Sequence, residues 1–267
     1  MTARDALHEG QLHAAIALQE RAVAAAPTHG PGRLFLFELL LLAGQTREAD
    51  ETLRQLDSPA EDWPTQRRQW LRLIRAEDRR TPTVHRPKFL RADVPLHAKR
   101  RWNALRAERT GQVQRALLCS DAADGVTPEV QGYIDGREFL GLRDTDDRFA
   151  SVLELFVAGE YVWLPFEHLR TLSLQPAVGP LDVAFRPATV TLSTGETWGA
   201  IVPMRYPSSA EAGPSYALGE QVDWHTETDS LICAVGAKVL TAGEEEVILA
   251  QCRMIEIRCV QPVHRDV

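Results

Sequence analysis

GQLHAA (Gly10–Ala15) returns as GQTREA (Gly44–Ala49) and again as GQVQRA (Gly111–Ala116). The first two copies begin 34 residues apart, and the third lies 67 further on, close to two more periods. A period in this range is the signature of stacked helix–turn–helix units. The glycine suits a tight turn between two helices, and the alanine lets the second helix approach its neighbour. The flanks agree. After Gly10, the residues Leu12, Ala15, Ile16, Leu18, Ala22 and Val23 form a stripe at three- and four-residue spacing, which predicts an amphipathic helix. The breaker cluster Pro27-Thr28-His29-Gly30-Pro31-Gly32 ends it. Leu34–Ala43 reads as the next first helix, and Ala49, Leu53 and Leu56 line the next second one, which Asp57-Ser58-Pro59 stops.

The 34-residue period is that of the tetratricopeptide repeat. The copy expected near residue 78 is missing, so the array is degenerate. Gln66–Arg79 predicts a further helix with Trp70, Leu73, Ile74 and Glu77 on or near one face, and Pro95–Glu108 another through Leu96, Trp102 and Leu105. Between them Thr81–Pro95, with Pro82, Pro87 and Pro95, reads as an extended connector.

From Tyr133 onward the pattern turns to strands. Val152–Val157 and Tyr161–Leu164 flank Ala158-Gly159-Glu160, a hairpin signal. Ala188–Leu192 and Thr197–Val202 flank a second turn at Ser193–Glu196, and Lys238–Thr241 and Glu246–Ala250 flank a third at Ala242–Glu245. Arg253–Val260 reads as an extension of the last strand, and Ser208–Leu218 as a polar loop. The fold class is therefore α+β: a degenerate TPR-like helical domain over residues 1–120, then an antiparallel β-rich domain over 121–267, a sheet or small barrel packed on the helices.

Composition sets the broad class. The chain is 44 % hydrophobic and 25 % charged, as expected of a globular protein with a sizeable core. The most apolar stretch, LFLFELLLLA (Leu34–Ala43), is ten residues long and carries Glu38, so it reads as a buried helix and not a membrane span. No basic and then apolar leader opens the chain. Cys119, Cys233, Cys252 and Cys259 form no CxxC pair and read as reduced thiols. These features point to the cytoplasm. Residues 67–115 hold 15 Lys and Arg against 4 Asp and Glu, between two net-acidic ends.

HEGQLH (His8–His13) has one residue too many for the HExxH zinc motif; its histidines are five apart, roughly 140° out of line on a helix. Asp144, Asp146 and Asp147 could hold a divalent cation in a metal-dependent hydrolase. A calcium loop started at Asp144 would put Phe149 where glycine belongs and Leu155 where the closing glutamate belongs. Arg143 and Arg148 bracket these acids, so the duller expectation is an ion-paired turn that launches the strand at Val152. The Arg-rich 67–115 segment could neutralise phosphates in a nucleic-acid-associated regulator, or meet the acidic flanks within the chain. No GxSxG, GxxxxGK[ST] or GxGxxG is present, and no catalytic, cofactor or metal residue is assigned.

One run is specific enough to carry a resemblance. Tyr133-Ile134-Asp135-Gly136-Arg137-Glu138-Phe139 leads into Arg143–Arg148, then Val152-Leu153-Glu154, Gly159–Glu167 (GEYVWLPFE), Phe185–Ala188 (FRPA) and Pro203–Pro207 (PMRYP). This resembles the ImpE/TagJ (SciE-type) family, accessory proteins of bacterial type VI secretion systems, strongly over 131–207 and loosely over the helical part. The resemblance implies a non-catalytic cytoplasmic adaptor without cofactor. It implies binding of the N-terminal helix of the small subunit of the contractile sheath, and a bearing on sheath recycling by the AAA+ disassembly ATPase. It implies no catalytic residues. A helical array can take an amphipathic helix in a groove, and Leu36 and Leu40 are named as partner-binding candidates. Trp163, Pro165 and Phe166 are expected in the core or between the two halves.

Overall fold

The computed structural model describes residues 1–56, 58, 60–80, 86–226 and 231–261. Each Gly-Gln motif folds as a turn between antiparallel helices. The first joins α1 (Ala3–His8) to α2 (Leu12–Ala25), and the second joins α3 (Gly30–Leu42) to α4 (Thr46–Arg54). After α5 (Trp63–Arg80), the third joins α6 (Leu96–Arg109) to α7 (Val113–Asp124). Gly10, Gly44 and Gly111 take left-handed backbone at φ 73°, 73° and 70°. The N–H groups of Gln11, Gln45 and Gln112 donate back five residues, to Ala6, Leu40 and Ala107, at 2.8, 2.9 and 2.8 Å. This is the helix end that closes on a left-handed glycine. Ala15, Ala49 and Ala116 are buried, as close helix packing requires. No turn interrupts α5 near residue 78; it stands unpaired between the second and third hairpins.

Two helix boundaries differ from expectation. α3 begins at Gly30, inside the breaker cluster, because proline is tolerated in a first helical turn; the ring of His29 accepts from the Gly32 N–H at 3.1 Å and caps it. Ser208–Leu218 is not a loop but two single-turn helices, α8 (Ser209–Ala212) and α9 (Pro214–Ala217), split by Gly213. Asp57, Pro59, Thr81–His85 and residues 262–267 fall outside the described residues. The proposed helix stop, part of the connector and the end of the tail lie among them.

Strand structure begins at Glu129, four residues before Tyr133. β1 (Glu129–Ile134), β2 (Arg137–Leu140), β3 (Leu142–Asp144), β4 (Val152–Val157), β5 (Glu160–Pro165), β6 (Leu169–Leu174), β7 (Phe185–Leu192) and β8 (Thr197–Pro203) follow in turn. Then come β9 (Val222–His225), β10 (Cys233–Gly236), β11 (Val239–Ala242), β12 (Glu245–Ile248) and β13 (Met254–Gln261). Eight of them form one antiparallel sheet in the order β2-β1-β13-β6-β7-β8-β4-β5, with two ends rather than a closed barrel. The three expected hairpins are β4–β5, β7–β8 and β11–β12. Ala158 and Gly159, at φ 54° and 85°, make the first a two-residue turn matched to strand twist. Arg253–Val260 does not extend β12. A 3₁₀ turn at Leu249–Gln251 redirects the chain, and β13 inserts between β1 and β6.

The sheet meets the helices with one face. Val152 and Phe156 of β4 and Tyr161 and Trp163 of β5 join one apolar core with Phe37, Leu41, Leu73 and Trp102 of the helices. The alternate residues Leu153, Leu155, Val162 and Leu164 enter a second core with Leu142, Leu240 and Ile255. β4 and β5 are thus covered on both sides, which explains their nearly unbroken apolar sequence. Residue 120 lies within α7, and the first core is continuous across the two halves. Among the described residues no helix is long and apolar enough to cross a membrane.

A register shift in β1 between Gln131 and Gly132 brings the backbone of β13 close. A Cβ at Gly132 would stand 1.8 Å from the Glu256 carbonyl oxygen. Gly132→Ala is expected to destabilise the protein by about 2–3 kcal/mol, read as a lower urea midpoint.

Candidate functional site

Charge is buried where the two halves meet. Arg80, at the end of α5, places Nε 3.0 Å from Glu154 Oε1 and Nη2 3.1 Å from Oε2, a two-pronged contact with β4. Lys238, just before β11, lies 2.7 Å from Glu154 and 3.3 Å from Asp144. The Tyr206 hydroxyl donates to Asp144 at 2.7 Å, and the Tyr161 hydroxyl to Glu154 at 2.5 Å. Trp163 Nε1 donates to Tyr161 at 2.6 Å, and the Trp163 ring meets Trp102 and Phe149 edge-on. Burial works against the charged form of Glu154, but Arg80 and Lys238 hold its carboxyl well below the usual range. Burial pushes Asp144 up, with Lys238 opposing.

The acidic knot is engaged throughout. Asp144 Oδ1 accepts from the Asp146 N–H at 2.9 Å, and Asp146 Oδ1 from the Arg148 N–H at 2.9 Å, so the turn folds on its own carboxylates. Asp146 pairs with the Arg148 guanidinium and accepts from the Ala234 N–H at 2.8 Å. Asp147 pairs with Arg143 and accepts from the Ile232 N–H at 2.8 Å. The three acids therefore staple the β3–β4 turn to β10 and the start of β11. The sequence signal for Arg143 and Arg148 was their bracketing position; Lys238, 94 residues from Asp144, gave none.

Histidine does not reach the knot. His97 is buried on α6, where Nε2 donates to Glu167 and Nδ1 shares a bond with Ser151 Oγ at 2.9 Å. A hydroxyl, imidazole and carboxylate in series have the composition of a hydrolytic triad. Here Ser151 is 2 % exposed, so the set joins α6 to the sheet side and offers no nucleophile at a surface. Among the described residues no group of three or more His, Cys, Asp or Glu side chains is disposed to hold a metal ion.

Two arginines of the basic segment, Arg80 and Arg101, are buried, while the other described cations of 67–115 are exposed or half-exposed. Besides Arg80, Arg79 and Lys88 both pair with Glu160, and Arg101 pairs with Asp124 and donates to Ser120 Oγ at 2.6 Å and the Asp147 carbonyl at 3.0 Å. Arg68, Arg72 and Arg75 remain on the exposed face of α5. Arg205, from PMRYP, donates to the carbonyls of Leu42 and Ala217 at 2.5 Å and of Leu41 at 3.3 Å. It thus supplies donors to the free end of α3, where carbonyls lack helical partners. Its burial lowers the guanidinium to about 10.

Leu36 and Leu40, named as partner-binding candidates, are 7 % and 4 % exposed and belong to the core. The helix stripe that suggested them is the packing stripe. Phe35 and Leu42 of the same helix are equally buried, but they border a neighbouring groove. A groove of about 480 Å³ runs between α1, α3 and the segment 178–183, lined by Leu7, Phe35, Pro180, Val183 and Leu218, with Arg4, His8 and Glu220 among its polar residues. Val178 on its rim is 93 % exposed. Glu38 lies one turn from both Phe35 and Leu42, which line the groove, and feels the charges of Arg4 and Asp182. Burial raises its carboxyl from 4.5 to about 7.

Comparison with known proteins bears on this arrangement. Residues 136–256 match the family model described as ImpE protein, and residues 6–82 match a tetratricopeptide-repeat model. The type VI secretion system accessory component TagJ of Pseudomonas aeruginosa is 30 % identical, over 96 % of this chain and 91 % of its own. This chain belongs to the ImpE/TagJ family. A solved structure, protein VPA1032 from Vibrio parahaemolyticus, shares the fold at a TM-score of 0.88, with 21 % identity over 96 % of this chain and 97 % of that one. The family match spans the acidic knot, Glu154, Lys238 and Arg205, so the buried polar seam lies within the matched region. The repeat match covers α2 through α5 and includes the helical side of the groove.

Two outcomes follow from the seam and the groove. Lys238→Met leaves Asp144 and Glu154 without their shared cation and is expected to cost about 3–5 kcal/mol in urea unfolding at pH 8. The deficit should narrow as pH falls, because burial favours the protonated form of Asp144 and protonation relieves the unpaired charge. Glu38 favours its protonated form when folded, so its contribution is present below pH 4.5 and is lost as pH rises through about 7. Glu38→Gln is expected to raise Tm at pH 8 and to leave it nearly unchanged at pH 5.

Proposed function

We propose that this protein is a non-catalytic adaptor of a bacterial type VI secretion system, acting in the cytoplasm. It binds the N-terminal helix of the small subunit of the contractile sheath and links that subunit to sheath recycling by the AAA+ disassembly ATPase. The relative's name supports the accessory role. The observation that carries the binding mode is the groove between α1, α3 and residues 178–183. It is open at the surface and combines the apolar Leu7, Phe35, Pro180, Val183 and Leu218 with the polar Arg4, His8 and Glu220. An amphipathic helix presents anchors at i, i+3, i+4 and i+7, and burying them against Leu7, Val183 and Leu218 supplies the driving force. Arg205 holds the end of α3, one wall of the groove, which favours a site that spends little on ordering the receptor.

The reading of the other two candidates follows from their geometry. Asp144, Asp146 and Asp147 are occupied by cations and backbone donors, which favours a structural role over metal-assisted hydrolysis. The buried pairing of Arg80 with Glu154 and of Arg101 with Asp124 favours an intramolecular role for these two arginines over nucleic-acid binding.

Calorimetric titration with a synthetic peptide of the cognate small sheath subunit's N-terminal helix tests the proposal. Saturable binding is expected, weakened at least tenfold by Val183→Asp and by polar substitution of the peptide's apolar face. Absence of heat at high peptide concentration, with the protein folded by circular dichroism, overturns it.

A further inference from the structure

The outer face of α5 carries a row of arginines. Arg68, Arg72, Arg75 and Arg79 follow one another at spacings of four, three and four residues, which places all four within about 60° of arc on one side of the helix. From first to last the row runs about 16 Å along the axis. Arg68, Arg72 and Arg75 are exposed and Arg79 is half-buried. The opposite side of α5 is the packing side, where Leu73, Ile74 and Glu77 are buried. Arg68 donates to the Thr65 hydroxyl at 3.1 Å, and Arg68, Arg72 and Arg75 have no carboxylate partner among the described residues. Like charges three and four apart destabilise a helix, so this row weakens α5 in the isolated chain.

The row is held in place and ends in a hollow. The β4–β5 turn packs against it: a Cβ at Gly159 would stand 3.0 Å from Cβ and Cγ of Arg72, and Arg72 is exposed beyond that contact. Next to Arg79 lies a cavity of about 230 Å³ lined by Arg79, Arg86, Lys88, Glu160 and Tyr161. Arg79 and Lys88 both pair with Glu160, and Arg86 has no ion-pair partner among the described residues. Three cations against one carboxylate leave a surplus of two positive charges there.

Two observations set the class of ligand. The aromatic side chains of α5 are turned away from the row, since Trp70 packs on Trp63 and Phe37, so no ring is offered for stacking bases. Acids also bound the row. Glu61 and Asp62 precede it, and Asp78 and Glu160 stand beside its far end. A long polyanion would run over these acids, whereas a short segment with carboxylates at the spacing of the arginines avoids them. Guanidinium groups also match carboxylates through paired hydrogen bonds.

We infer that the arginine row of α5 binds an acidic α-helical segment of a partner protein, with Asp or Glu at i, i+4, i+7 and i+11. Three of its carboxylates meet Arg68, Arg72 and Arg75, and the last enters the hollow beside Arg79 and Arg86. The row lies outside the groove between α1, α3 and residues 178–183 that is assigned to the sheath subunit, so either reading can fail without the other.

The probe is a fluorescein-labelled, alanine-rich helical peptide with glutamate at i, i+4, i+7 and i+11, titrated with the full-length protein in low salt and followed by anisotropy. Saturable binding is expected, weakened at least tenfold by Arg72→Glu combined with Arg75→Glu. Both positions are exposed, and this double variant is expected to keep or raise Tm, because it breaks the run of like charges. A peptide of the same composition with its glutamates spread around the helix leaves the protein untouched and should bind at least fivefold more weakly. Equal binding of the two peptides would reduce the contact to general charge attraction and overturn the inference. So would undiminished binding by the folded double variant, or no binding at millimolar peptide. A single-stranded oligonucleotide that binds more tightly than the peptide through the same arginines would overturn it by making the row a nucleic-acid surface. Dimerisation in sedimentation that the double variant abolishes would also overturn it, since a second copy would then cover the row.

Discussion

Glu154 carries two cations in a place that water does not reach. Arg80 comes to it from the helical half and Lys238 from the far end of the β-rich half. A lone carboxylate at this depth would be too costly to keep ionised, so each group needs the others in place. That requirement fixes the end of α5 against β4, and β4 against the start of β11. Lys238 then extends the same constraint to Asp144 and through it to the β3–β4 turn. Such a seam adds less to stability than its many bonds suggest, because desolvation offsets much of the attraction. Its effect is positional: pairing these charges brings the end of α5, β4 and the start of β11 together.

The apolar contacts follow from that arrangement. Trp163 lies between Trp102 of α6 and Phe149 of the acidic turn, with its Nε1 satisfied by Tyr161, which in turn donates to Glu154. Arg205 works in the same way at the second contact. Its guanidinium gathers the open carbonyls of α3, and its own carbonyl accepts from Arg80. The groove assigned to the partner helix uses α3 as one wall, so the polar seam and the docking surface share a support.

The protein thereby separates two tasks. Repeated helix–turn–helix units give a surface that suits recognition of another helix. The β-rich half anchors that surface. The acidic residues that first suggested chemistry belong to the anchor. Three carboxylates in four positions would repel one another in isolation, and the fold instead distributes them among Lys238, Arg148 and Arg143.

Local pattern alone was enough for the helical hairpins, because a left-handed glycine, a following helix and a small packing residue all lie within six positions. The hairpins at Ala158-Gly159, Ser193–Glu196 and Ala242–Glu245 were legible for the same reason, as was the ion-paired character of the acidic turn from Arg143 and Arg148. Packing decided the rest. A leucine stripe reports burial but not which neighbour covers it, so Leu36 and Leu40 looked like candidate contacts and proved to be core. β13 read as the end of a hairpin, yet it pairs with β1 and β6, strands distant in sequence. Lys238 had no local signal, since its partners lie 84 and 94 residues away. The sequence by itself determined the repeated helical turns, the strand hairpins and the family. Tertiary structure alone decided which charges meet, which residues of α3 border the groove and where the sheet edges fall, because those depend on contacts between segments that carry no mark of one another.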